Sequence, residues 1–203
     1  MNELRHKNRC LCVVTGTRAE YGLLQPLMKS SVHVLQNLLQ ALTVVIAEQK
    51  QLGKNIFLIF IASNADASSG KLMEIIHAYI NTKDDSKLLL SLPRRAFVSL
   101  VRLSCCFCGN SSAGLLEVPA LQVPTVNVGY RQNGRKGLES TINAGIEFET
   151  IKAGITKGLC IDTDTIESCY EIRNTSELVL TALDDVSNFS NLLKKSFYTR
   201  HIK

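Results

Sequence analysis

Residues 56–62 read Ile-Phe-Leu-Ile-Phe-Ile-Ala, seven in a row without a charge. An apolar run of that length, rich in β-branched and aromatic side chains, is a strand buried on both faces. Such a strand belongs to a parallel sheet packed between helices, so this one run already selects an α/β fold. Its neighbours agree. Residues 10–15 are a second short apolar run, followed by a turn at 16–22 and a helix over 21–29. A longer helix spans 34–50, with Leu35, Leu38, Leu39, Leu42 and Ile46 at helical spacing and Gly53 to stop it. Further along, 71–80 reads as helix, 88–92 as strand, 96–103 as helix, 105–108 as strand, 112–118 as the start of a helix, and 125–128 as strand after Pro124. After Lys136 the pattern weakens. It returns as a helix over 177–185, with Ser176 as its N-cap, and a helical or frayed tail from Leu192. One join breaks the alternation: the first strand–helix unit ends near Ser30-Ser31, and the long helix starts a few residues later. A strand is missing between them.

Composition narrows the partners. No apolar run approaches the ~18–20 residues of a membrane span. The opening nine residues carry no apolar signal core, so a cytosolic protein is expected. Seven cysteines then read as reduced thiols, and those at 10, 12, 105, 106 and 108 sit in apolar strand-like runs as small hydrophobes. Cys105 and Cys106, as strand neighbours, point to opposite faces and do not share a metal ion. The net charge of +5 gathers at the ends, in Arg5, Lys7, Arg9, Lys194, Lys195, Arg200 and Lys203. With seven Phe, five Tyr and no Trp, no interior patch mixes basic and aromatic residues, so nucleic-acid binding is not supported.

The segment Cys105-Cys-Phe-Cys-Gly-Asn-Ser-Ser-Ala-Gly-Leu-Leu-Glu117 carries the strongest local signal. A buried strand runs into Gly109-Asn-Ser-Ser-Ala-Gly114, where a helix is expected to begin. Small residues let backbone approach a ligand, Ser111 and Ser112 add hydroxyls, and unpaired N–H groups favour an anion. A plain helix cap is the alternative. No Lys-Ser/Thr pair follows, so this is not a Walker loop, and the glycine spacing is not that of a dinucleotide fingerprint. Gly109-x-Ser111-x-Ala113 approximates a hydrolase elbow, but the only downstream histidine is His201, close to the end of the sequence. Glu117, just past the loop, suits either the helix dipole or a ribose diol. Arg18, in Gly16-Thr-Arg-Ala-Glu20, follows the first strand. Asn64-Ala-Asp66 follows the second. Arg131 and Arg135 follow the strand at 125–128. Four strand ends thus carry groups suited to a phosphorylated polar ligand.

Together these motifs resemble a known family. Val13-Val-Thr-Gly-Thr-Arg-Ala-Glu-Tyr-Gly-Leu-Leu-Gln-Pro-Leu27 resembles the opening of the bacterial hydrolysing UDP-N-acetylglucosamine 2-epimerases of sialic acid biosynthesis. Asn64-Ala-Asp66, residues 92–100, Gly109-Asn-Ser-Ser-Ala-Gly-Leu-Leu-Glu-Val-Pro119 and Val123-Pro-Thr-Val-Asn-Val-Gly-Tyr-Arg-Gln-Asn-Gly-Arg135 resemble its C-terminal domain. The resemblance implies a glycosyltransferase-B fold of two Rossmann-like domains with UDP between them, and no metal or nicotinamide. It implies that Arg18 contacts the diphosphate, Ser111 and Ser112 hold the phosphates, Glu117 accepts from the ribose, and Arg131 and Asn64 line the sugar cleft. The backbone near Leu92 would lie beside the uracil. The implied reaction eliminates UDP from UDP-N-acetylglucosamine and adds water to give N-acetylmannosamine.

The family's N-terminal domain fills the gap that is here a few residues long. The expected organisation is therefore a remnant unit over 1–32 and a UDP-binding Rossmann-like domain over 33–203 with an altered tail. Glu20, Asp66 and His33 remain as acid/base candidates, and none matches a family catalytic position. The expectations are an epimerase-family enzyme, a UDP-binding remnant without turnover, or an interaction protein. The last would pair with itself or a full-length relative through an uncovered apolar face. Binding without turnover is favoured.

Overall fold

The computed structural model describes residues 8–15, 25–62, 70–135, 137–166 and 174–184. Six strands form one parallel sheet: β1 (Asn8–Thr15), β2 (Asn55–Ala62), β3 (Ser86–Leu89), β4 (Cys106–Gly109), β5 (Thr125–Val128) and β6 (Thr141–Ala144). Their spatial order is β3-β2-β1-β4-β5-β6. The helices are α1 (Gln25–Gln51), α2 (Gly70–Ile80), α3 (Arg94–Leu103), α4 (Ala113–Leu116), α5 (Phe148–Cys160) and α6 (Thr175–Asp184), with 3-10 turns at Pro119–Leu121 and Thr163–Thr165. Residues through 170 form one compact unit, and α6 belongs to a second. By itself, α6 leaves Leu178, Val179, Leu180 and Leu183 exposed. Among the described residues, no helix is long and apolar enough to cross a membrane.

The alternation of side chains along β1 builds both layers at once. Leu11 and Val13 enter the core beneath α1, α2 and α5, while Cys12 and Val14 enter the smaller core beneath α3 and the turn at Pro119–Leu121. All four are buried, which requires cover on both faces. β1 is the central strand, with Arg9 opposite Ile56 on one side and Leu11 opposite Cys106 on the other. At its start Arg9 donates from Nη2 to the Leu159 carbonyl at 2.8 Å. That cation satisfies a carbonyl in the last turn of α5.

Three expectations change here. The two helices around Ser30-Ser31 are one continuous helix, α1, running through the join. No strand stands between them, and β1, the strand read at 10–15, is seated at the centre of the sheet. The stretch after Lys136, where the sequence pattern weakens and an altered tail is expected, contributes β6 and the core helix α5. Boundaries shift as well. Strand β3 begins two residues earlier than expected, Ser176 lies inside α6, and the helix after the Ser111-Ser112 loop is a single turn. Cys105 precedes β4, so the pleat does not govern it, and it packs against the same core as Cys106.

Candidate functional site

The C-terminal ends of the strands define one edge of the sheet. Thr15 lies opposite Ala62, Val14 opposite Gly109, Gly109 opposite Asn127, and Val128 opposite Ala144. The loops after β1, β2, β4 and β5 therefore all leave from this edge. In open α/β sheets, ligands bind outside the carboxyl ends of the strands. Val14, Val34, Leu35, Leu38, Leu72, Gly109, Asn110 and Val128 line a small depression there.

Gly109 makes the close approach possible. Its φ is +143°, and a Cβ there would stand 2.0 Å from the Val14 carbonyl oxygen. Only glycine lets β4 turn out of the sheet against β1 at this point. The chain then forms a compact loop: the Ala113 N–H donates to Ser111 Oγ at 3.3 Å, and the Gly114 N–H to the Ser111 carbonyl at 3.1 Å. Gly114 is packed tightly too. A Cβ there would lie 2.8 Å from Thr125 Cγ2 and 3.0 Å from Phe107. Thr125 Oγ1 donates to the Gly114 carbonyl at 2.8 Å, fixing the loop to β5.

The loop after β5 closes over this turn. Arg131 donates to the Asn110 carbonyl at 3.5 Å, and Gln132, 4% exposed, donates to the same oxygen at 2.8 Å. Arg135 is exposed. Glu117, expected near the first turns of a helix, instead caps the end of the single-turn α4. Its carboxylate pairs with the Arg94 guanidinium at the start of α3. The structure thus brings Ser111, Ser112, Glu117 and Arg131 to one side of the sheet edge. Arg18, Asn64, Glu20 and Asp66 lie outside the described residues. His33 is exposed on α1, 3.3 Å from Asn37 Nδ2, and Asn37 itself donates to the Ile146 carbonyl at 2.9 Å. Sequence reasoning missed Arg94 and Gln132. Arg94 stands 23 residues from its partner. Gln132 is a buried amide that no local pattern marks.

The opposite edge holds a larger cavity of about 460 Å³, lined by Arg9, Ile46, Lys50, Asn55, Ile56, Phe57 and Asp85. It touches none of the residues expected to bind. The thiols lie mostly along the β1–β4 seam. Burial, offset by the Arg9 guanidinium, pushes Cys105 up to about 11. Burial pushes Cys108 up to about 12. The hydrogen bond with Cys12, and then burial, raise Cys10. These are protonated, packing cysteines rather than nucleophiles.

Comparison with known proteins bears on the family and the fold. The chain is 29% identical over 147 residues to a UDP-N,N'-diacetylbacillosamine 2-epimerase (hydrolyzing) from Legionella pneumophila, covering 72% of this chain and 39% of that protein. It is 38% identical over 97 residues to the polysialic acid biosynthesis protein P7 of Escherichia coli, covering 48% and 25%. Among solved structures, the UDP-GlcNAc 2-epimerase of Methanocaldococcus jannaschii superposes with a TM-score of 0.64 at 12% identity, covering 87% of this chain and 45% of that one. The Neisseria meningitidis enzyme, solved bound to UDP-GlcNAc, gives 0.58 at 14% identity, covering 87% and 44%. A trehalose-phosphate synthase from Burkholderia vietnamiensis gives 0.52 at 12% identity. The fold is thus a Rossmann-like α/β sheet of the glycosyltransferase-B kind. The chain spans less than half the length of each of these epimerases. The UDP-N-acetylglucosamine 2-epimerase profile matches residues 28–184, and the chain belongs to that family.

Proposed function

We propose that this chain binds UDP, free or within UDP-N-acetylglucosamine, along the C-terminal edge of its sheet, and does not turn the sugar over. Ser111 and Ser112 receive the phosphates, Glu117 accepts from the ribose hydroxyls, and Arg131 and Asn64 line the sugar side. Arg18 meets the diphosphate from the β1 side. The observation that carries this reading is the pairing of β1 with β4: Val14 stands opposite Gly109, so the segments leading to Arg18 and to Ser111 depart from one edge. A single-turn α4 adds little dipole, so the phosphates depend on the loop's own N–H and hydroxyl groups.

The family reaction, hydrolysing elimination of UDP followed by hydration to N-acetylmannosamine, needs a base for the C2 proton and a group managing the C3 side. Residues 1–32 are read as a remnant of the domain that supplies such groups, and 33–203 as the UDP-binding domain. The observation favouring binding over turnover is the place of β1. The segment resembling the family's N-terminal half completes this sheet from within instead of facing it across a cleft. With half of the contacts gone, binding is expected to be weak.

The test is incubation with UDP-N-acetylglucosamine followed by chromatography, beside calorimetry with UDP. Saturable UDP binding without release of UDP and N-acetylmannosamine is expected. Release of both would establish turnover. Absence of UDP binding at about 10 mM ligand, where the association free energy is already small, overturns the reading.

A further inference from the structure

Gln132 is the buried side chain that ties two loops of the C-terminal edge together. Its Nε2 donates to the Asn110 carbonyl at 2.8 Å, and Arg131 donates to that same oxygen at 3.5 Å. Gln132 Oε1 is buried without a hydrogen-bond partner among the described residues, so the bond to Asn110 is the one that sets the amide's orientation. The Asn110–Ser111 peptide is trans. In a trans peptide the carbonyl of one residue and the N–H of the next point to opposite sides. Holding the Asn110 carbonyl toward the 130–135 loop therefore turns the Ser111 N–H away from that loop. The Ser111 hydroxyl is oriented in turn by the Ala113 N–H.

We infer that Gln132 is a positioning residue for phosphate recognition: it sets the Asn110–Ser111 peptide so that the Ser111-Ser112 turn presents its N–H groups to an anion. Gln132 itself touches no phosphate. This rests on the UDP reading above. A residue with this role acts on the phosphate end of the nucleotide and leaves the nucleoside end alone, whereas a merely structural residue affects both together.

The experiment compares UDP and uridine affinities, by NMR titration of the full chain, for the unsubstituted protein, Gln132→Met and Gln132→Glu. Gln132→Met keeps the shape and removes the donor. It should weaken UDP about tenfold, the scale of one hydrogen bond's worth of positioning, with uridine unchanged. Gln132→Glu supplies the switch. As a carboxylate it cannot donate to Asn110, and it repels the anion. As a buried carboxylic acid, with its pKa raised above ~4.3, it can donate again. Its UDP affinity relative to the unsubstituted protein should therefore recover as pH falls from 8 to 5. Equal loss of UDP and uridine in Gln132→Met, or UDP binding within twofold of the unsubstituted protein, overturns the proposal. Should Gln132→Met fail to fold, a pH-independent ratio for Gln132→Glu overturns it. If the unsubstituted protein binds no UDP, the UDP reading fails first and this proposal falls with it. Binding that survives in the unsubstituted protein separates the two.

Discussion

The two edges of the sheet differ in what fills them. The N-terminal edge holds a cavity of about 460 Å³ lined by two cations, Arg9 and Lys50, of which Arg9 donates to the Leu159 carbonyl. At the C-terminal edge, two tightly placed glycines, an interloop amide and an Arg94–Glu117 ion pair stand around a small depression. The cavity at the N-terminal edge is lined by none of the residues expected to bind UDP. Backbone that only glycine can adopt, together with polar groups tied to one another across separate loops, marks the edge where a ligand is expected.

The largest effect should come from the glycines that separate the edges. Gly109→Ala puts a Cβ against the Val14 carbonyl and should destabilise the fold by more than about 3 kcal/mol, or abolish it, in thermal or urea denaturation. Gly53 also has a positive φ, +73°, but lies in open space near the other edge. Gly53→Ala should cost only about 1 kcal/mol. Equal losses would remove the distinction between a close approach and a simple left-handed turn.

The buried thiols probe the seam between the edges. Folded pKa values raised to about 11 for Cys105 and about 12 for Cys108 lie above the ordinary thiol value near 8.5. Their stabilising contribution is thus complete below about pH 8.5 and lost as pH rises through 11 and 12. Melting temperature should fall over that window, and Cys108→Ala should flatten the fall. At neutral pH, exposed Cys160 should alkylate well before Cys106 or Cys108.

Smaller effects sharpen the site itself. Ser111→Ala with Ser112→Ala should lower UDP affinity at least about tenfold while changing stability by no more than about 1 kcal/mol, read by calorimetry and melting. Lys50→Ala, at the other edge, should leave UDP affinity within about twofold. The smallest effect is Arg94→Ala. The Arg94–Glu117 pair is exposed, so its loss should change stability by less than about 1 kcal/mol. Any change in nucleotide affinity should disappear when 2',3'-dideoxy-UDP replaces UDP, because Glu117 is read as the acceptor for the ribose hydroxyls.

How much of this the sequence discloses depends on how local each cause is. The strand at 56–62 and the glycine loop at 109–114 are legible because burial on both faces and a tight turn each leave a contiguous signature. The continuity of α1 is not, because Ser30-Ser31 has weak helix propensity and reads as a break. Helix α5 was obscured by Gly154 and Gly158. Tertiary packing requires them: a Cβ at Gly154 would lie 3.2 Å from Val126 Cγ1, and one at Gly158 3.0 Å from Cys106 Sγ. At the candidate site, Ser111, Ser112 and Arg131 are legible as residues following strand ends, whereas Glu117, expected in the first turns of a helix, stands at the end of a single turn. The partners that fix the loop and the carboxylate, Gln132 and Arg94, follow only from contacts between distant segments.

The most direct test of the comparison is the pattern of backbone amide shifts as UDP is titrated into the isotopically labelled chain. Saturating changes centred on residues 109–117 and 130–133 are expected, with Arg9, Lys50 and Asn55 unmoved. Changes centred on the N-terminal edge, or none at either edge, would contradict the account.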